Sequence, residues 1–137
     1  MHAVRVVCAV IYSGGKILAT RRADVEGPDC WEFAGGKIEE GETSEQACRR
    51  ELLEEQGLSL GVLWYLDTIE HDYPDFHLSM DVLVAPLDGA RESIADDNDH
   101  RWLGRGELLD IGWLAADRRI ALMLGTLWDR IFQEEHL

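Results

Sequence analysis

Glu51, Glu54 and Glu55 stand in the stretch "RELLEEQGL", Arg50 to Leu58. Glu51 lies three residues before Glu54 and four before Glu55, so on a helix all three share one face. That grouping is unfavourable on its own. Like charges at these spacings repel by about 0.2–0.5 kcal/mol per pair. Gly57 is a natural helix stop, and carboxylates near the negative C-terminal end are disfavoured by about 0.3–1 kcal/mol each. No Lys or Arg stands four residues further on to relieve them. Acidic helix faces are commonly plain solvated surface. Three crowded carboxylates make chemical sense if a hard divalent cation sits on them. Magnesium takes carboxylate oxygens and keeps positions for water and a substrate phosphate.

The segment just upstream, "GGKIEEGE", adds a glycine loop. Glycines let a carbonyl or amide approach a ligand closely. Alone this is a weak signal; followed at once by a carboxylate helix it is a stronger one.

The elements that must position these groups are legible from periodicity. Residues 4–12 are apolar and β-branched, "SGGK" turns the chain, and "ILATRR" continues, a hairpin pattern. Residues 23–30 read as a loop, and "WEFAGGKI" as a short aromatic segment broken by Gly35-Gly36. A helix is expected over Thr43 to Gln56, with Thr43 and Gln46 at capping-box spacing. Residues 60–70 and 76–85 read as strands joined by "HDYPD". A polar loop, "LDGARESIADDND", precedes a short strand "HRWL" and a helical turn at Glu107–Asp110. From Asp117 onward, Ile120, Ala121, Leu124, Leu127, Trp128 and Ile131 repeat at helical spacing. Strands on both sides of a central helix, with a second helix last, predict an α+β mixed-sheet fold. No repeat or low-complexity tract interrupts it.

The chain has 137 residues, the size of a single domain over 1–137, and 46% hydrophobic residues, enough for one core. Its net charge is −14. Such a surface disfavours duplex nucleic acid and anionic membrane, which attract basic proteins. A phosphorylated small molecule stays open, because a bound cation reverses the local field. No apolar run approaches the ~18 residues of a membrane span. The N-terminus reads as a first strand rather than a signal peptide. Cys8, Cys30 and Cys48 have no metal-type spacing, and their odd number fits a reduced, cytoplasmic setting. Five tryptophans, among them Trp113 and Trp128, could fill the core or cover a dimer surface, so monomer and homodimer both stay open.

Gly36, Glu42, Arg50-Glu51-Leu52, Glu54-Glu55 and Gly57-Leu58, separated by five, seven, one and one residues, resemble the Nudix box of the Nudix hydrolases. The pattern sets nine positions over 23 residues, so chance agreement is remote. "ILATRR", "WEFAGGKIEEGETSEQA" and "YPDFHLSMDVLVA" are similar to the MutT-like branch, densely over the first 85 residues and thinly afterwards. The resemblance implies a Nudix fold, a mixed β-sheet sandwiched between α-helices with the box as loop–helix–loop. It implies hydrolysis of a nucleoside triphosphate to the monophosphate and pyrophosphate. By resemblance, Glu51, Glu54, Glu55 and the Gly35 carbonyl would hold magnesium, with manganese as an alternative ion. Arg50 would position a catalytic glutamate, its alternative being a surface ion pair. Glu42 would close the loop or help a second metal. The general base would be a box glutamate or a later acidic residue such as Asp96 or Asp97, which could instead belong to a solvated loop.

Specificity is expected outside the box. Arg22, Phe33 and Asp117 resemble base- and phosphate-contacting positions of the MutT-like branch. Their alternatives are an exposed strand residue, core packing and the N-cap of the last helix. The damaged-guanine enzymes carry Asn where Asp117 stands, and an ionised Asp only accepts hydrogen bonds. Cytosine offers an exocyclic amino donor that suits a carboxylate. Ala34 and "AAD" at 115–117 look closer to the CTP pyrophosphohydrolases, and Phe76 replaces an arginine of the damaged-guanine enzymes. Cytosine nucleotides are therefore expected first and oxidised guanine nucleotides second. ADP-ribose, dinucleotide polyphosphates and capped RNA ends are other substrates of the family, and a non-catalytic nucleotide sensor is the alternative of another class.

Overall fold

The computed structural model describes residues 2–87 and 94–132. Residues 88–93 of the expected polar loop lie outside the described residues. The fold is α+β, with mixed strand pairing and, among the described residues, two α-helices. The chain groups into two compact units, Met1–Ile11 with Phe33–Leu87, and Tyr12–Glu32 with Asp88–Leu137.

In the first unit, strand β1 (His2–Ser13) contributes its residues up to Ile11. Short β4 (Gly35–Lys37) pairs antiparallel with it, Val7 opposite Gly36 and Cys8 opposite Gly35. Strands β5 (Trp64–Asp72) and β6 (Phe76–Pro86) form an antiparallel hairpin, giving the order β5-β6-β1. A bulge between Tyr65 and Asp67 shifts the register. Helix α1 (Ser44–Gln56) begins at the Thr43 N-cap, whose hydroxyl accepts from the Gln46 N–H while the Gln46 side chain accepts from the Thr43 N–H. Such a cap contributes about 0.5–2 kcal/mol. The helix ends at Gly57, left-handed with φ 68°, whose N–H returns to the Leu52 and Leu53 carbonyls. Ala47, Cys48 and Leu52 are its buried face.

Strand β5 starts at Trp64, four residues later than its apolar composition predicts. The Arg49 guanidinium donates to the Leu60 carbonyl at 2.6 Å and the Gly61 carbonyl at 2.8 Å, engaging both outside any strand ladder.

The second unit holds the end of β1, then β2 (Lys16–Arg21), β3 (Asp29–Glu32), β7 (His100–Leu103) and β8 (Gly112–Trp113). Ser13 and Lys16 pair across Gly14-Gly15, with φ 57° and 80°, the left-handed pair that a tight two-residue hairpin needs. β2 lies between β3 and β7, both antiparallel to it. β8, absent from the periodicity reading, runs parallel to β3. A 3-10 turn at Arg105–Glu107 leads into the expected turn at Glu107–Asp110, where the Asp110 N–H donates to the Glu107 carbonyl at 2.9 Å.

Helix α2 (Ala115–Ile131) starts two residues before Asp117. Its N-cap is Leu114, whose N–H donates to the Trp31 carbonyl at 2.8 Å. Asp117 is thus in the first turn, and the N-cap alternative is corrected. Tyr12 stacks on Phe132 at 4.1 Å, and Trp128 meets both rings edge-on. Trp113 and Trp128 are both buried, so neither supplies an exposed dimer patch. The three cysteines are free and buried; burial pushes the Cys48 thiol up to about 11. No helix among the described residues is long and apolar enough to cross a membrane.

Candidate active site

Helix α1 carries the carboxylates, and Arg50 organises them. The Arg50 guanidinium forks onto Glu42, Nε to Oε2 at 2.7 Å and Nη2 to Oε1 at 2.8 Å. Its Nη1 donates to Glu51 Oε1 at 2.8 Å and lies 3.6 Å from Glu54 Oε2. Glu39 stands 3.8 Å away, and the Lys37 carbonyl accepts at 3.1 Å. The relief for the acidic face therefore comes from the residue four positions before Glu54. A planar fork with several donors suits this better than a lysine point charge.

Glu42 also closes its own loop. Its Oε1 accepts the Glu39 N–H at 2.9 Å, and its N–H donates to the Glu39 carbonyl. The Arg50 fork, with that N–H, holds the Glu42 carboxyl far below the usual carboxylate range, at about 2. Glu42 and Glu51 in turn hold Arg50 still more firmly protonated than usual.

The two glycines before the helix have different tasks. A Cβ on Gly36 would sit 2.4–2.7 Å from the Glu51 carboxyl atoms, so glycine leaves the space in which that carboxylate lies. A Cβ on Gly35 would meet the Val7 carbonyl oxygen at 2.0 Å, so glycine there permits the close approach of β4 to β1.

Glu51, Glu54, Glu55 and the neighbouring backbone offer only hard oxygens, and this donor chemistry fits magnesium or manganese. Among the described residues no three acidic, imidazole or thiol groups already converge as a metal cage. Glu51 is half-buried and held on Arg50, whereas Glu54 and Glu55 are exposed on the last turns.

The expected later bases have structural engagements. Asp96 is exposed, and its Oδ1 accepts the Trp102 N–H at 2.9 Å. Asp97 accepts from the Asp99 N–H and from the His100 ring, which lower its pKa in that order.

Of the expected substrate contacts, Arg22 and Asp117 belong to the second unit and Phe33 to the first. Arg22 is exposed just past β2 and forks onto Asp24 at 3.0 and 2.8 Å. That bond raises its pKa, and the charges of Glu32, Asp24 and Asp117 add to the rise. Glu32, 3.9 Å from Arg22, had no signal in the sequence beyond its place in "WEF". Asp117 is a buried charged side chain, only 6% exposed. Phe33 is buried at 2%, which favours its core-packing alternative.

The NUDIX domain family model matches residues 1–123, and the chain belongs to that family. An 8-oxo-dGTP diphosphatase of Proteus vulgaris is 52% identical over 50 residues, covering 36% of this chain and 45% of that protein. A CTP pyrophosphohydrolase of Escherichia coli K12 is 39% identical over 90 residues, covering 56% of this chain and 67% of its own length. The first of these alignments spans less than half of the relative's length. The solution structure of the E. coli ORF135 protein superposes with a TM-score of 0.78 at 28% identity, covering 98% of this chain and 96% of that one.

Proposed function

We propose that this chain is a divalent-metal-dependent nucleoside triphosphate pyrophosphohydrolase that acts on cytosine or damaged nucleotides and so clears them from the nucleotide pool. One observation carries the proposal: the acidic face of α1 is ordered around Arg50, with Gly36 leaving room for Glu51. Glu51, Glu54 and Glu55, with the Gly35 carbonyl, would hold the ion. Bound there, magnesium would supply charge neutralisation for the phosphates and acidify a water. The chain's own residues do the rest. Arg50 keeps Glu51 oriented, and Glu42 keeps Arg50 in place while closing the loop. A carboxylate of the helix, or Asp96, takes the proton of the attacking water. Phosphorus–oxygen bond cleavage then yields the nucleoside monophosphate and pyrophosphate.

Asp117 would read the base. Its carboxylate accepts, which suits the cytosine amino group. Arg22 would contribute a cation for base or phosphate, and Phe33 would support the site through packing. The relatives' names divide between CTP and 8-oxo-dGTP, so oxidised guanine nucleotides are the second reading.

The test is pyrophosphate release from CTP, dCTP, 5-methyl-dCTP, 8-oxo-dGTP, the four standard dNTPs and ADP-ribose, with magnesium and then with EDTA. A cytosine preference abolished by EDTA is expected. Preference for 8-oxo-dGTP would overturn the cytosine assignment alone, and no turnover of any substrate would overturn the hydrolase.

A further inference from the structure

A chain of polar groups crosses the first unit from the β5–β6 hairpin to the start of α1. Thr68 and Asp81 are paired residues of the hairpin. The Thr68 hydroxyl donates to Asp81 Oδ1 at 2.8 Å. The other carboxylate oxygen, Asp81 Oδ2, accepts from the hydroxyl of Ser44, the first residue of α1. Tyr65 Oη and Thr68 Oγ1 are 2.6 Å apart. Because the Thr68 proton is committed to Asp81, the Tyr65 hydroxyl is the donor in that bond.

The location gives this chain its significance. Asp81 is a part-buried anion at the positive end of α1, a favourable placement. It links the hairpin to the first residue of α1 through a charged side chain. Gly57 closes the helix at its other end, and Arg49, near its middle, donates to the Leu60 and Gly61 carbonyls of the segment that follows. Between Ser44 and Gly57 lie Glu51, Glu54 and Glu55. The buried Ala47, Cys48 and Leu52 set which face of α1 turns inward, and the Ser44 link adds a fixed point at its first residue; even a small rotation re-aims every side chain on the acidic face.

We infer that Asp81 is a positioning residue, which through Ser44 sets the rotation and height of α1 and thereby the aim of its glutamates. This rests on the reading of those glutamates as the metal site. It needs no contact between Asp81 and substrate.

The experiment measures Mn2+ binding by electron paramagnetic resonance, kcat and KM for CTP separately, and the thermal midpoint. The variants are Ser44→Ala, Ser44→Thr, Asp81→Asn and the double variant Ser44→Ala/Asp81→Asn, with Glu54→Gln in parallel. Ser44→Ala and Asp81→Asn are each expected to weaken Mn2+ binding and lower kcat by about tenfold, in the range that loss of an outer-shell support costs. KM should stay within about twofold of wild type, as expected of a residue that acts by positioning α1 rather than by binding substrate. The double variant should be little worse than either single one, because both remove the same link. Ser44→Thr, which keeps the hydroxyl, should restore both quantities. Ser44→Ala deletes one part-exposed hydroxyl, so it decides the matter even if Asp81→Asn does not fold. Wild-type Mn2+ affinity and kcat in Ser44→Ala, with Glu54→Gln impaired, would overturn the positioning role alone. Wild-type Mn2+ affinity in Glu54→Gln would overturn the metal site and the positioning role together.

Discussion

Arg50 is a single cation among Glu39, Glu42, Glu51 and Glu54. Its fork on Glu42 has a consequence for pH. The Glu42 carboxyl lies at about 2 in the folded chain against an ordinary 4.5. A folded value below the unfolded one means stability that is complete above about 4.5 and lost as pH falls toward 2. Thermal midpoints of wild type and Glu42→Gln between pH 6 and 2.5 should therefore converge as the solution is acidified. A gap of constant size across that range would show that the fork contributes nothing. Asp117 carries a second expectation. Asp117→Asn introduces a donor, so it should shift the ratio of CTP to 8-oxo-dGTP turnover toward guanine more than it changes either maximum rate. An unchanged ratio would leave Asp117 no part in base choice. The shared face of the three glutamates was legible from their i, i+3, i+4 spacing. The resemblance gave Arg50 a glutamate to position, but its fork on Glu42 was not legible, because Glu42 lies eight residues away across a loop and helix periodicity says nothing about such a pair.

At the scale of elements, β4 and α1 act as a pair, with Gly35 and Gly36 set for different neighbours. Gly35→Ala forces a Cβ against backbone atoms of Val7 and Cys8. Backbone cannot yield cheaply, so this variant should lose about 1–3 kcal/mol or more in denaturant unfolding. The nearest atoms to a Cβ in Gly36→Ala are those at the flexible end of Glu51. It should fold nearly as stably as wild type while Mn2+ affinity and turnover fall, because Glu51 is pushed aside. Equal stability loss in both variants, or full activity in Gly36→Ala, would contradict these separate tasks. Helix α1 was readable in advance since its start and stop signals, Thr43, Gln46 and Gly57, are local. The start of β5 was not, because Arg49, eleven residues before Leu60, engages carbonyls there. Nor was β8, two residues long, whose place depends on Gly112 passing close to Pro28. The start of α2 was misplaced for a related reason: Leu114 has no capping side chain, and its backbone is held by Trp31 across the sheet.

For the whole molecule, a net charge of −14 leaves a nucleotide with little long-range attraction. Binding must then depend on a few local cations and on the metal that the α1 carboxylates would hold. This makes the acidic helix the centre of the account, and loss of one of its glutamates the most direct probe. The decisive measurement is magnesium-dependent pyrophosphate release from CTP and 8-oxo-dGTP by wild type and Glu54→Gln, with folding of both checked by circular dichroism. Wild type should require magnesium, and Glu54→Gln should be slower by about 100-fold or more, at least as large as the cost of losing an outer-shell partner, with its thermal midpoint unchanged or raised as repulsion on the helix is relieved. A folded Glu54→Gln that releases pyrophosphate at the wild-type rate would contradict the assignment of α1 as the catalytic helix.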